Sequence, residues 1–211
     1  MSKRTPVPRR LGRPPDVDSS ETRERLLGVA RQAFAHNGYD ATTNKEIAAA
    51  AGITAGAIYH YYPSKVDLYM AVYDETQTLV FNAFEQAVAL RDGLIARFSA
   101  ALDVAVELNR QDPSLAGFVV GVAGEAQRHP DLADRIAPLR AVNGNFLASL
   151  VADAHEGGEL ANDVKLSAVE DLLNAVLSGL ARFSNHTGDA ERHADAVDAL
   201  KRFFAGTLVR Q

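Results

Sequence analysis

Thr43-Asn44-Lys45-Glu46-Ile47-Ala48-Ala49-Ala50-Ala51-Gly52-Ile53-Thr54-Ala55-Gly56-Ala57-Ile58-Tyr59-His60-Tyr61-Tyr62 reads as two short helices joined by a tight turn. Thr43, with Glu46 three residues on, has the spacing of a capping box, in which each side chain satisfies an orphan backbone donor at the helix start. Gly52 supplies the left-handed residue that ends the first helix. Thr54 caps the second, whose first turn is Ala55-Gly56-Ala57 and whose next turn carries Tyr59, His60 and Tyr61. Small residues at a helix N-terminus let the backbone approach DNA closely, and Tyr and His donate hydrogen bonds to phosphates. The pattern is a helix-turn-helix and points to a regulator of genes rather than an enzyme.

Upstream, residues 18–38 form a first helix. Asp18 and Glu21 repeat the capping-box spacing, and Leu26, Leu27, Ala30, Phe34 and Ala35 make one apolar stripe. Residues 1–17 hold Lys3, Arg4, Arg9, Arg10 and Arg13 with no acid before Asp16, and four prolines with Gly12. Such a stretch forms no regular structure. It reads either as a flexible arm that adds phosphate or minor-groove contacts, with Gly12-Arg13-Pro14 as the insert, or as a solvated tail.

Downstream, Pro63 breaks the chain, and Ser64 with Asp67 opens a long amphipathic helix reaching about Leu90. At roughly 1.5 Å per residue it spans ~38 Å, enough to bridge two regions. Helices follow over 92–109, 114–128, 132–155, 167–185 and 189–208. Pro138 and Gly144 are expected to kink the third of these. No strand pattern and no internal repeat appear, so the chain is all-α. In the last two helices Val169, Leu172, Leu173, Val176, Leu177, Leu180 and Phe183 form one stripe, and Val197, Leu200, Phe203, Phe204 and Leu208 another. Two such stripes either pack inside one subunit or meet the same pair from a partner in a four-helix bundle.

Composition narrows the function classes. With no cysteine, disulfides, thiol catalysis and thiolate metal sites are excluded. No apolar run approaches the roughly 18 residues of a membrane span, and the basic N-terminus lacks a signal-peptide core, so a cytoplasmic protein is expected. The net charge of -5 hides a division. Residues 1–65 carry 10 Lys/Arg against 6 Asp/Glu, and residues 66–211 carry 12 against 21. A basic head on an acidic body suits a DNA-contacting end joined to a part held off the DNA.

With these elements placed, the chain resembles the TetR family of transcriptional repressors. The match covers about Thr22 to Tyr69: Ala33-Phe34 and Gly38-Tyr39, then Thr42-Thr43, Ile47-Ala48, Ala51-Gly52-Ile53, and Ile58-Tyr59-His60-Tyr61-Tyr62-Pro63-Ser64-Lys65. The resemblance implies about nine helices: a three-helix DNA-binding head over 18–65, and a helical effector-binding and dimerisation domain over 66–211. It implies a homodimeric repressor on a palindromic or nearly palindromic double-stranded operator, released by a small effector. An activator or an effector-independent regulator is the alternative reading.

The roles implied are these. Thr43 and Thr54 cap their helices and bond phosphates; Ala55, Gly56 and Ala57 face base edges; Tyr59, His60 and Tyr61 contact phosphates; and Lys65 anchors the backbone. Ile47, Ala51, Ile58 and Tyr62 point inward and hold the two helices together. The family often carries a polar or charged residue at position 55, and here it is Ala. An Ala-Gly-Ala tip lacks long donors for bidentate base contacts, which leaves Lys45, Tyr59, the arm through Arg9, Arg10 and Arg13, or DNA shape to read sequence.

For the effector cavity that the family builds among helices 4–8, the candidate lining is Phe81, Phe84, Phe98, Phe118, Phe146 and Leu177. Glu125, Asn143, Asn145 and Asn174 are the polar candidates, and the effector is expected to be lipophilic. The implied dimer contacts are Leu173, Val176, Leu180, Val197, Leu200 and Phe204. Against an all-α enzyme, Asp153-Ala154-His155-Glu156 and Glu191-Arg192-His193 lack the i, i+4 spacing of helical ligands and read as solvated surface. Gly121-Val122-Ala123-Gly124 is too sparse for a phosphate loop. No catalytic residue, metal or cofactor is expected.

Overall fold

The computed structural model describes residues 15–209, with side chains described over 20–139 and 145–209. Among the described residues all regular structure is helical. α1 spans Pro15–Ala41, α2 Asn44–Ala50, α3 Ala55–Tyr61, α4 Lys65–Val88, α5 Leu94–Gln111, α6 Ser114–Arg128, α7 Pro130–Glu156, α8 Leu166–Thr187 and α9 Ala190–Phe204. No helix among these residues is long and apolar enough to cross a membrane.

The helix ends follow local chemistry. Ser64 Oγ accepts the Asp67 N–H at the start of α4, and the Asp189 carboxylate accepts from Glu191 and Arg192 N–H at the start of α9. Pro130 opens α7 at a position where a missing N–H costs nothing. Two boundaries differ from expectation. α1 begins at Pro15, three residues early, and α9 stops at Phe204, because Ala205 and Gly206 close it with 206 left-handed. α7 runs as one element through Pro138.

Two apolar cores lie one above the other along α4. The upper holds Leu26, Ala30 and Phe34 of α1, Ile47 and Ala51 of the α2 region, Ile58 of α3, and Leu68, Tyr69 and Val72 of α4. Phe118 and Val122 of α6 and Leu132 and Ile136 of α7 complete it, so it does not stop at residue 65. The lower core gathers Phe84, Phe98, Leu102, Leu147, Leu150, Leu173 and Val197 from α4, α5, α7, α8 and α9.

The residues expected at a dimer contact turn inward instead. Leu173 and Val197 are buried in the lower core, and Val176, Leu180, Leu200 and Phe204 pack against it, with Phe204 6.2 Å from Phe98 between ring centroids. The helical period explains the difference: these positions lie on the face turned to α5 and α7. The outward face of α8 and α9 presents Leu172 and Phe203, 60% and 62% exposed, among smaller residues such as Ala175 and Gly179.

Candidate nucleic-acid interface and effector cavity

The two capping threonines differ in what they leave free. At Thr43 both halves of the capping box are present: Glu46 N–H donates to Thr43 Oγ1 at 3.2 Å, and Thr43 N–H donates to Glu46 Oε2 at 3.0 Å. The Thr43 hydroxyl also donates to Glu46 Oε2 at 2.8 Å, so its one proton is committed. These bonds hold the Glu46 carboxyl below its ordinary value. Thr54 Oγ1 accepts Ala57 N–H at 3.2 Å, and its hydroxyl donates to none of the described residues.

Beyond Thr54 the tip of α3 stands clear of the body. Ala55, Gly56 and His60 are exposed, Tyr59 is 56% exposed, and Ala57 and Tyr61 are half-buried. Lys45 is exposed on α2. Ile47, Ala51, Ile58 and Tyr62 are buried, which locks α2 onto α3. α1 secures the pair: Arg25 Nε donates to the Ala51 carbonyl at 3.0 Å, and Arg23 Nε donates to Tyr62 Oη at 3.1 Å. Lys65 departs from expectation. It lies 4.3 Å from the Tyr39 ring centroid and donates to the Asp40 carbonyl at 3.2 Å, and burial lowers its pKa. Its side chain therefore fastens α4 to the end of α1. Arg9, Arg10 and Arg13 lie outside the described residues.

Below the head a cavity of about 610 Å³ opens between α4, α5, α6, α8 and α9. That is the size of a small-molecule site. Phe81 and Phe84 line it from α4, Leu102 from α5, Val119 and Val122 from α6, and Asn174 and Leu177 from α8. Phe146 stands behind this wall, 5.8 and 5.5 Å from the Phe81 and Phe84 ring centroids. Three more of the expected lining residues are buried elsewhere. Phe98 is fully buried against Phe204, and Phe118 sits in the upper core beside Tyr69. Glu125 is 5% exposed and turned to α1, where its Oε1 accepts the Tyr39 N–H at 3.1 Å and meets Arg128 at 2.8 Å. Asn145 is exposed, and the Asn143 side chain lies outside the described residues.

Residues 26–72, the helix-turn-helix with its flanks, match the family model described as bacterial regulatory proteins, tetR family. The chain belongs to the TetR family. It is a DNA-binding transcriptional regulator. It is 25% identical over 192 residues to the transcriptional regulator UidR of Escherichia coli K12, covering 91% of this chain and 95% of that one. To the transcriptional repressor BepR of Brucella suis it is 25% identical over 185 residues, 86% and 87% of the two chains. The structure of GusR from Salmonella enterica superposes with a TM-score of 0.70 at 29% identity, covering 89% of this chain and 95% of that one.

Several residues of this TetR-family chain escaped sequence reasoning. His193, read as solvated surface, is 3% exposed and borders the cavity with Asn109 of α5. Asn109 Nδ2 donates to Ser184 Oγ at 2.6 Å, which ties the end of α5 to that of α8. The signal for His193 was its place four residues before Val197 and seven before Leu200, on the inward stripe of α9. Arg31 is the larger omission. A buried arginine on α1, it donates to Glu75 at 3.0 Å, Asp112 at 2.7 Å and Ser114 at 3.2 Å. No local pattern announces partners 44 to 83 residues away.

Proposed function

We propose that this regulator is a cytoplasmic homodimeric repressor that leaves a palindromic operator when a small molecule fills the cavity. The observation that carries this reading is the course of α4. The helix begins at Lys65, just past α3, and ends at Val88 in the lower core, with Phe81 and Phe84 on the cavity wall. A ligand that pushes on that wall tilts the rod against the head. The ligand shifts the equilibrium only by its difference in affinity for the two tilts. The repressor mode draws support from the relative named a repressor. The division into an arm over 1–17, a head over 18–65 and an effector and dimer domain over 66–211 follows the same reading, which assigns no catalytic residue, metal or cofactor.

At the DNA, the exposed tip from Thr54 to Ala57 approaches the major groove, with Tyr59, His60 and Tyr61 along the phosphates. Thr54 supplies a hydroxyl proton to a phosphate, whereas Thr43 serves as a cap. Lys45 and Tyr59, with the arm through Arg9, Arg10 and Arg13, supply the reach that the Ala-Gly-Ala tip lacks.

Footprinting the purified protein on the DNA upstream of its own gene tests the reading. It expects two protected half-sites about one helical turn apart, roughly 34–36 Å, and their release by a compound that binds the free protein. Protection that no cavity-binding compound weakens would falsify the induction mechanism. Lys45→Ala should weaken the cognate duplex more than a scrambled one at the same salt. An equal loss on both reduces Lys45 to a phosphate contact.

A further inference from the structure

The cavity wall is chemically lopsided. Its floor is apolar, with Phe81, Phe84, Leu102 and Val122, while its α8 edge carries Glu170 and Asp171. Among the described residues no Lys or Arg lines it. A carboxylate or phosphate brought inside would find no cation to pair with and two negative charges on the rim, and an unpaired buried charge is strongly disfavoured.

The deeper end is polar without being charged. His193 of α9 lies there with Asn109, whose side-chain amide is already bonded to Ser184. His193 Nδ1 is buried and has no hydrogen-bond partner among the described residues. A buried ring nitrogen left alone is costly, and a ligand group can complete it. A hydroxyl fits best, since it donates to the bare nitrogen of one imidazole tautomer and accepts from the N–H of the other. Burial lowers the His193 pKa, which keeps the ring uncharged at neutral pH.

We propose that the cavity takes an amphipathic molecule bearing no negative charge, its apolar body on Phe81, Phe84 and Leu177 and a hydroxyl paired with His193. This rests on the cavity being the effector site, but its test needs no DNA. The full-length protein is loaded with the uncharged fluorophore 1-N-phenylnaphthylamine, which is then displaced at pH 8 and fixed salt by 1-decanol, decyltrimethylammonium or decanoate below micelle formation. The chains match in length, so the head group decides.

The alcohol and the ammonium compound displace the fluorophore at concentrations at least about tenfold below decanoate, a gap worth ~1.4 kcal/mol. The double variant Glu170→Gln, Asp171→Asn narrows that gap. His193→Phe, shown folded by its melting transition, weakens 1-decanol about fivefold or more relative to decyltrimethylammonium, whose head group makes no hydrogen bond to the ring. Decanoate binding as tightly as the alcohol overturns the charge assignment and leaves the effector reading standing. An unchanged affinity for 1-decanol relative to decyltrimethylammonium in His193→Phe overturns the hydroxyl contact. A protein that takes up no fluorophore and none of the three compounds overturns the effector reading and this inference together.

Discussion

Arg31 shows what one buried side chain does in this fold. Its guanidinium joins α1 to α4 through Glu75 and to the α5–α6 junction through Asp112 and Ser114. The two carboxylates are not equivalent. Burial pushes the Asp112 carboxyl up, but hydrogen bonds from Ser114 and Arg31 outweigh it and leave the group below its ordinary value. Glu75 has fewer donors, so burial, only partly offset by Arg31, raises it. Asp112 therefore contributes stability that is present above its unfolded pKa and lost as pH falls through its lower folded value. Glu75 has the opposite sign: its contribution is present in acid and lost as pH rises through its folded value. In urea unfolding at pH 7, Asp112→Asn should cost ~1.5–3 kcal/mol, the worth of a charged hydrogen bond, and Glu75→Gln under about 1 kcal/mol. Equal losses from the two, or a larger loss at Glu75, would refute this division.

At the scale of elements, the break in α1 shows how body and head are joined. Gly38 adopts φ 77°, and the next residue, Tyr39, gives its N–H to Glu125 of α6. α6 also walls the cavity through Val119 and Val122, so one helix touches both the cavity and the foot of the head. A methyl on Gly38 would sit 3.2 Å from Glu125 Oε1. Gly38→Ala combines that crowding with an extended, positive-φ backbone (φ 77°, ψ 176°) that is essentially restricted to glycine and costs an L-residue ~1–3 kcal/mol. We expect ~2 kcal/mol lost by denaturation, together with weaker operator binding at a temperature where the variant is fully folded. Stability within about 0.5 kcal/mol of wild type would show that the break tolerates a side chain. Much of this level was legible in the sequence, because caps and breakers are local. Thr43 with Glu46, Gly52, Thr54, Ser64 and Pro130 each place a boundary through atoms a few residues away. The Glu125 contact was not legible: a carboxylate on an amphipathic helix looks the same whether it faces a cavity or a backbone N–H 86 residues off. For the same reason Phe98 and Phe118 passed for cavity wall, since periodicity gives the buried face but not which neighbour fills it.

At the scale of the molecule, the inward turn of the α8 and α9 stripes leaves the opposite face for the dimer contact we propose. There Ala168, Leu172, Ala175 and Gly179 follow one another along α8, and Ala196, Ala199 and Phe203 along α9. Phe183 lies at the same edge with the Arg192 guanidinium 5.7 Å from its ring centroid. Small residues let two helix pairs approach closely, and Leu172 and Phe203 are large apolar groups that the single subunit leaves in water. The two faces make opposite predictions. Leu172→Asp with Phe203→Asp should give a folded monomer by light scattering, with helix content unchanged. Its affinity for a two-half-site operator should fall about 100-fold or more, because the second recognition helix no longer arrives at an intramolecular concentration. Leu173→Asp, one residue along, instead buries a charge in the lower core and should unfold the domain before any question of assembly arises. A dimer that survives the exposed pair of substitutions would place the subunit contact elsewhere, and the distance between recognition helices would then depend on another surface than the one beside the cavity.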